Sequence, residues 1–504
     1  MTDLYNYYNG GDLDAKYMNE NAQDIVKAME AGLQTGRDYT DQINNGPSLK
    51  VESLDPMVKV LENKLTDLVL WNGMNKHKIF NTVHEYNQLY KYGEEVGIFN
   101  LEGETPEFTD SQYRRKSIIA KFTGVSGSVT HPSMLVKTAD GKNSLAREVE
   151  NKTALLLRII DKKLSTADSS KIATEFDGIF RQHLLGVNEI YAPTAGLTPE
   201  NLFDTYFGDG VSVIDARGSI LTDDLVQDAA DGIVNTRFGE VSHIMANPSV
   251  FNDYAKQFQQ YKQVLVGGVN GVEGANMGQS VASITTQFGK ITTENDKFFN
   301  RKGYRAYNAS ATSNKAPAAV TLDGTTPISV TTDTKTQFSD SAGNYFYAVA
   351  AKNRHGESAM QIVNTVAQAV ATTESVDLKF TATAGVYETE AFVIYRTEEG
   401  VSDYTTAKFY PIFEVSTSEL AAGFDGAAAG SVRDRNRFMA NTQIAMVYYK
   451  SSDIMEYLQF APTMRMDYAQ TSPALRFSIL NYGTPVLYQP GKIGLIYNIG
   501  KKTA

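Results

Sequence analysis

The chain holds six histidines, His77, His84, His131, His183, His243 and His355, and no cysteine. Without cysteine there is no disulfide, no thiolate metal site and no thiol nucleophile, a composition that fits assembly in a reducing cytoplasm. No histidine pair shows the i, i+4 spacing with which one helix face grips zinc, and H-E-x-x-H does not occur. His77 and His84 are seven apart and can share a helix face, but two turns separate them. The glycine run at 267–278, GGVNGVEGANMG, lacks the Lys and hydroxyl that close a phosphate loop, and it does not match G-x-G-x-x-G. It reads as a surface loop. Glu294, Asn295 and Asp296 form a turn-prone trio without the spaced oxygens and central glycine of a calcium loop. Carboxylates abound, but sequence does not say which of them converge, so no glycosidase-like pair is assigned. The expectation is a chain with no catalytic, cofactor-binding or metal-binding residue, and therefore no enzyme.

Net charge points the same way. Asp and Glu outnumber Lys and Arg by 58 to 47, giving −11, whereas neutralising phosphates needs clustered cations. Dedicated nucleic-acid binding is not expected. The one basic cluster, Arg114, Arg115 and Lys116, reads either as a solvated strand end or as a contact to carboxylates of another subunit, since Arg pairs bidentately with them. The densest apolar run, 154–160, is broken by Arg158 and is far shorter than a bilayer span. The opening MTDLYNYYNGGDLDAKY has neither the basic start nor the apolar stretch of a secretory signal, so neither membrane insertion nor export is expected.

The elements that position these residues can be read in order. Length, 504 residues, allows two to four domains, and 28 Tyr with 24 Phe supply aromatic cores. Residues 1–97 read as an N-terminal arm followed by a docking helix: Asp55-Pro56 is a helix start, and Leu54, Val58, Leu61, Leu65 and Leu68 fall on one face. Residues 98–143 alternate in the manner of strands, with Gly124 and Gly127 placed to bend them, and predict a long β-hairpin. Ser144 is a candidate cap for the next helix, whose face is Leu145, Val149, Leu156, Ile160 and Leu164 over about five turns. Residues 170–300 mix helices (223–234, 248–261) with strands (211–214, 243–245, 290–293). From about 308 to 437, Ser, Thr, Ala, Asp and Gly rise and short strands recur, the habit of a β-sandwich. Aromatic and Met-rich sequence then resumes, ending on strands at 486–488 and 493–497, so the sandwich reads as inserted.

The arm, the hairpin, the helix SLAREVENKTALLLRIIDKKLSTAD, the region around HIMANPSVFNDYAKQF, the TTQFGKITTENDKFF segment and the closing strands follow one another in an order that resembles the major capsid proteins of tailed bacteriophages. The resemblance implies an α+β chain of the Hong Kong 97 type (HK97-like), with N-terminal arm, extended loop at 98–143, spine helix and first part of the peripheral domain at 144–179, axial domain at 180–307, and the rest of the peripheral domain at 438–504. YFYAVAAKNRHGES and AFVIYR resemble two strands of fibronectin type III or other immunoglobulin-like modules, in reversed order, which implies an inserted immunoglobulin-like sandwich at 308–437. By the same resemblance the protein would be a shell subunit that packs with copies of itself in the hexamers and pentamers of an icosahedral head. Arg114, Arg115, Lys116, Lys121, Phe122, Val125 and Val129 would be its intersubunit contacts. Portal, scaffolding and decoration proteins would be partners, packaged DNA would be enclosed without sequence-specific binding, and assembly would take place in the host cytoplasm. The rival of another class is a secreted carbohydrate-active enzyme or adhesin, which often carries fibronectin-like modules; a bacterial nanocompartment shell would share the fold.

Overall fold

The computed structural model describes residues 65–93, 99–105, 108–136, 143–191, 213–257, 281–300, 303–324, 326–470 and 472–501. The expected arm, most of the docking helix (Leu54, Val58 and Leu61 included) and the glycine run at 267–278 lie outside them. The chain divides into two units, Met1–Leu61 with Leu135–Asn143, and Glu62–Met134 with Ser144–Ala504. Everything below concerns the second.

Its backbone is the helix Ser144–Thr166. The i, i+4 face expected from sequence is the face it buries: Leu156, Ile160 and Leu164 are at most 2% exposed, while Leu145 and Val149, nearer the start, pack at the edge of the same core. Each fully buried leucine or isoleucine stabilises this docking by about 1.5–3 kcal/mol. Ser144 does not cap the helix. It is the first helical residue, and its hydroxyl donates to the Ser133 carbonyl at 2.9 Å.

Two sheets flank this helix. The first has four strands in the order Asn75–Lys78, Met455–Asp467, Ala474–Leu487, Lys121–Thr130, antiparallel except for the first pair. Gly124 and Gly127 do not bend the 121–130 strand, whose register with 474–487 is unbroken. They let it approach closely: a Cβ at Gly127 would sit 2.7 Å from the Phe477 ring. The second sheet has six strands in the order Val213–Asp215, Ile493–Ile499, Gln443–Tyr448, His243–Ala246, Gly289–Asn295, Ser283–Thr286. Both its faces are covered, so its central strands are apolar throughout. Met446, Tyr448 and Leu495 face the spine helix; Ala445, Val447 and Ile496 face the helices Asp223–Arg237 and Pro248–Gln257. The former of these begins on the Thr222 hydroxyl and ends at Phe238, whose left-handed φ of 52° returns its N–H to Ile233 and Val234. In the helix Ile179–Tyr191, His183 is fully buried with Nε2 2.7 Å from the Ile493 carbonyl, and burial pushes its pKa down to about 4.

The segment 438–504, expected as one piece of the peripheral domain, contributes strands to both sheets. Its middle, 455–487, belongs with 121–130, whereas 443–448 and 493–499 complete the sheet that contains 243–246. Period-2 patterning identifies a strand but not its partner.

Between the two host segments lies an all-β unit. One sheet centres on Glu374–Thr381, paired with Ile328–Thr332 and Ser431–Asp434; the other runs from Tyr347–Asn353 through Ala391–Arg396 to Lys408–Ser416. Val376, Leu378 and Phe380 of the first meet Tyr347, Val349, Phe392 and Ile394 of the second, which makes a sandwich. The second sheet is buried on its other face as well, by Met360, Ala407, Tyr307 and Tyr404, which explains the unbroken apolar runs YAVAA and AFVIY. The unit starts earlier than the composition shift near 308, because Arg305–Ala306 pairs with Lys408–Phe409. YFYAVAA and AFVIYR are antiparallel neighbours, Tyr347 opposite Arg396.

Candidate assembly surface

The strand Val83–Lys91 pairs antiparallel with Gln112–Ile119. The hairpin therefore spans 83–119, and the expected pairing within 98–143 is corrected: 121–130, one residue past the end of 112–119, leaves for the 474–487 strand. Alternation sorts the ribbon into two faces. On the inner face Tyr86 packs edge-on to Tyr488 at 4.9 Å, Gln88 donates to the Tyr488 carbonyl, and Ile118 joins Tyr86 against Ile79, Ala120, Leu458 and Val486. Arg114 and Lys116 lie on this face, half-buried, and burial with the neighbouring Arg114 charge lowers the Lys116 pKa.

The outer face is open. Val83 opposite Ile119 and Leu89 opposite Tyr113 form two apolar cross-strand pairs, and Ile119 and Tyr113 are 57% and 70% exposed. Between them Arg115 reaches Glu85 at 3.4 Å, an exposed ion pair that contributes less than about 1 kcal/mol. Toward the hairpin tip, Phe99, Leu101 and Phe108 are at least 80% exposed. An isolated two-stranded ribbon is marginal in water, and apolar side chains gathered on one exposed face mark a contact surface.

The sequence-predicted contact residues separate accordingly. Arg115 is on the open face. Phe122 is 62% exposed and packs edge-on to Tyr482, while Lys121 donates to the Ala173 carbonyl at 2.7 Å. Val129 is a correction: at 7% exposure it is core, and Val125 packs against the same cluster, because the inward side of the 121–130 strand faces the spine helix. Sequence reading missed Val83, Leu89, Tyr113 and Ile119. Their signal was the alternation VHEYNQLY at 83–90, assigned to the arm.

His77 and His84 lie on separate strands and not on a helix. Glu294 accepts from Tyr448 at 2.6 Å and Lys450 at 2.9 Å. Among the described residues no three of His, Cys, Asp and Glu are grouped to hold a metal ion, and no helix is long and apolar enough to cross a membrane.

A family model for the SU10 major capsid protein matches residues 33–319, more than half of the chain. The chain belongs to the SU10 major capsid protein family. As a phage major capsid protein it is a structural protein of the virion shell, not an enzyme, and it works by assembling into a multimeric shell. This displaces the secreted enzyme or adhesin. The SU10-family chain is 24% identical over 515 aligned residues to the major capsid protein of Staphylococcus phage K, covering 97% of this chain and 98% of that one. The figures for the major capsid protein of Staphylococcus phage S25-3 are the same. Among solved structures, that of Gordonia phage Cozz aligns at a TM-score of 0.41 and 9% identity, covering 92% of this chain and 97% of its own.

Proposed function

We propose that this capsid protein has the Hong Kong 97-type architecture and builds, as hexamers and pentamers, the icosahedral head of a tailed double-stranded DNA phage. The observation that carries the reading is the open apolar face of the 83–119 hairpin, which in a shell lies against a neighbouring copy. Closed symmetric assemblies repeat one interface, and a ribbon that reaches over a neighbour buries area without enlarging the globular body. The region 213–300 then serves as the axial domain at capsomer centres, and the spine helix with the 455–487 hairpin as the peripheral domain. The inserted sandwich is immunoglobulin-like and faces outward. Assembly takes place in the host cytoplasm with portal, scaffolding and decoration proteins, around DNA held without sequence recognition.

The absence of cysteine makes the test clean. Ile119→Cys places one thiol on the open face. Dissociated subunits are expected to react fully with a bulky maleimide and assembled shells at least tenfold more slowly, while a thiol at exposed Val386 of the insert reacts equally in both. Equal reaction of Ile119→Cys in both states would overturn the proposal.

A further inference from the structure

Two buried carboxyl groups meet where the spine helix, the six-stranded sheet and the short helix Val69–Gly73 come together. Asp161, on the spine helix, is 2% exposed and accepts the Trp71 N–H through Oδ1 at 2.8 Å. Asp296, just beyond the 289–295 strand, is 1% exposed; it accepts the Phe298 N–H at 2.8 Å, and the nearby amides of Phe299 and Leu70 favour its charged form. The consecutive amides of Leu70 and Trp71 thus lie beside carboxyls from two different elements. Those amides have no partner inside their own helix. The second oxygens, Asp161 Oδ2 and Asp296 Oδ2, are buried without a hydrogen-bond partner. Two buried ionised carboxylates with orphaned oxygens are strongly disfavoured, and a proton on one of them removes a buried charge.

The surrounding charges do not supply that relief. Lys162, beside Asp161 in sequence, points to solvent over the Phe298 ring at 5.3 Å. Lys297 pairs with Asp67 at 2.8 Å. Glu294 adds negative charge and takes Lys450, with His243 Nε2 3.8 Å from it.

We propose that buried Asp161 holds a proton, and that this proton fastens the Val69–Gly73 helix, and through Trp71 the peripheral sheet, to the axial sheet. Trp71 is edge-on to Tyr457 of the 455–467 strand at 4.9 Å, so the same turn bridges both sheets. The proton resides on Asp161, since more backbone amides stand near Asp296 to favour its charged form. Burial and the Asp296 charge raise the Asp161 pKa to about 7, and burial raises that of Asp296. An acid whose folded pKa is raised stabilises the docked state fully below the ordinary aspartate value near 4, and that contribution is lost as pH rises through about 7. The junction is therefore fastened in mild acid and loosened in mild alkali.

Trp71 is the only tryptophan, so its emission reports on the junction alone. In the unassembled full-length chain, emission is expected to shift to longer wavelength as pH rises from 5.5 to 8.5, with a midpoint near 7. Asp161→Asn keeps the docked spectrum throughout, Asp296→Asn moves the midpoint down, and His77→Gln or His243→Gln leaves it unchanged. Hydrogen exchange on the unmutated chain gives a second reading. Protection of the Leu70 and Trp71 amides falls roughly tenfold between pH 5 and 6 after correction for intrinsic rates and levels off above pH 7, while that of strand 493–499 stays constant. A flat unmutated profile, a titration that survives Asp161→Asn, or one that disappears with either histidine would overturn the proposal.

Discussion

Tyr113→Glu/Ile119→Glu is expected to abolish shell assembly while leaving the subunit folded. Both side chains are more than half exposed on the open face of the hairpin, so their replacement changes subunit stability by only about 0.5 kcal/mol. Neither touches the anchoring contacts of Tyr86, Gln88 and Ile118 on the opposite face. On the proposed reading the same face is desolvated by a neighbour in the assembled shell, and an unpaired carboxylate buried there costs about 3 kcal/mol or more. That weakens each subunit contact roughly a hundredfold, and the contact recurs around the shell. Sedimentation should show dissociated subunits whose thermal melt matches the unmutated chain. Shells formed in normal yield would show that the open face is not an interface.

The second large effect lies inside the inserted sandwich. Arg396 is 1% exposed, donates to Asp434 Oδ2 at 2.6 Å and Asn436 Oδ1 at 2.5 Å, and lies over the rings of Tyr345 and Phe338 at 5.0 and 5.3 Å. Tyr347 donates to the same Asp434 oxygen at 2.9 Å. Asp434→Ala strands a buried guanidinium, and removing one partner of such a pair costs about 3–5 kcal/mol. For a unit of this size the melting transition of the sandwich should fall by about 10 °C or more. Arg396→Met/Asp434→Leu should recover most of the loss, since an apolar pair of similar volume replaces a buried ion pair at little cost. If Asp434→Ala melts within about 2 °C of the unmutated chain, water reaches the guanidinium and this pair does not organise the sandwich.

How much of this was legible in the sequence depended on the range of the interaction. The spine helix was readable because its face repeats within one segment, from Leu145 to Leu164, and the buried strands of the insert were readable as short apolar runs. Pairing was not. The strands 112–119 and 121–130 are separated by Ala120 alone, yet one turns back to 83–91 and the other crosses to 474–487. Alternation looks the same in both, so the hairpin was placed one strand too late and Val125 and Val129 were put outside when they belong inside. Gly127 carried a real signal with an ambiguous meaning, since a bend and a close approach both demand a missing side chain. The Arg396 network was not legible, because Arg396 meets Asp434 and Asn436, 38 and 40 residues further along the chain, only in the folded sandwich. Nor could sequence reveal the buried carboxyl pair, because Asp161 looks like one more charge on a helix until Asp296 is folded beside it.

The central claim, that this chain is a self-assembling shell subunit, is tested most directly by the mass of the purified full-length protein in solution, measured by light scattering with electron microscopy of the same sample. The account predicts capsomers, tubes or closed shells, many times the 55.4 kDa of one chain. A species that remains a stable monomer at all concentrations and salt conditions would contradict it.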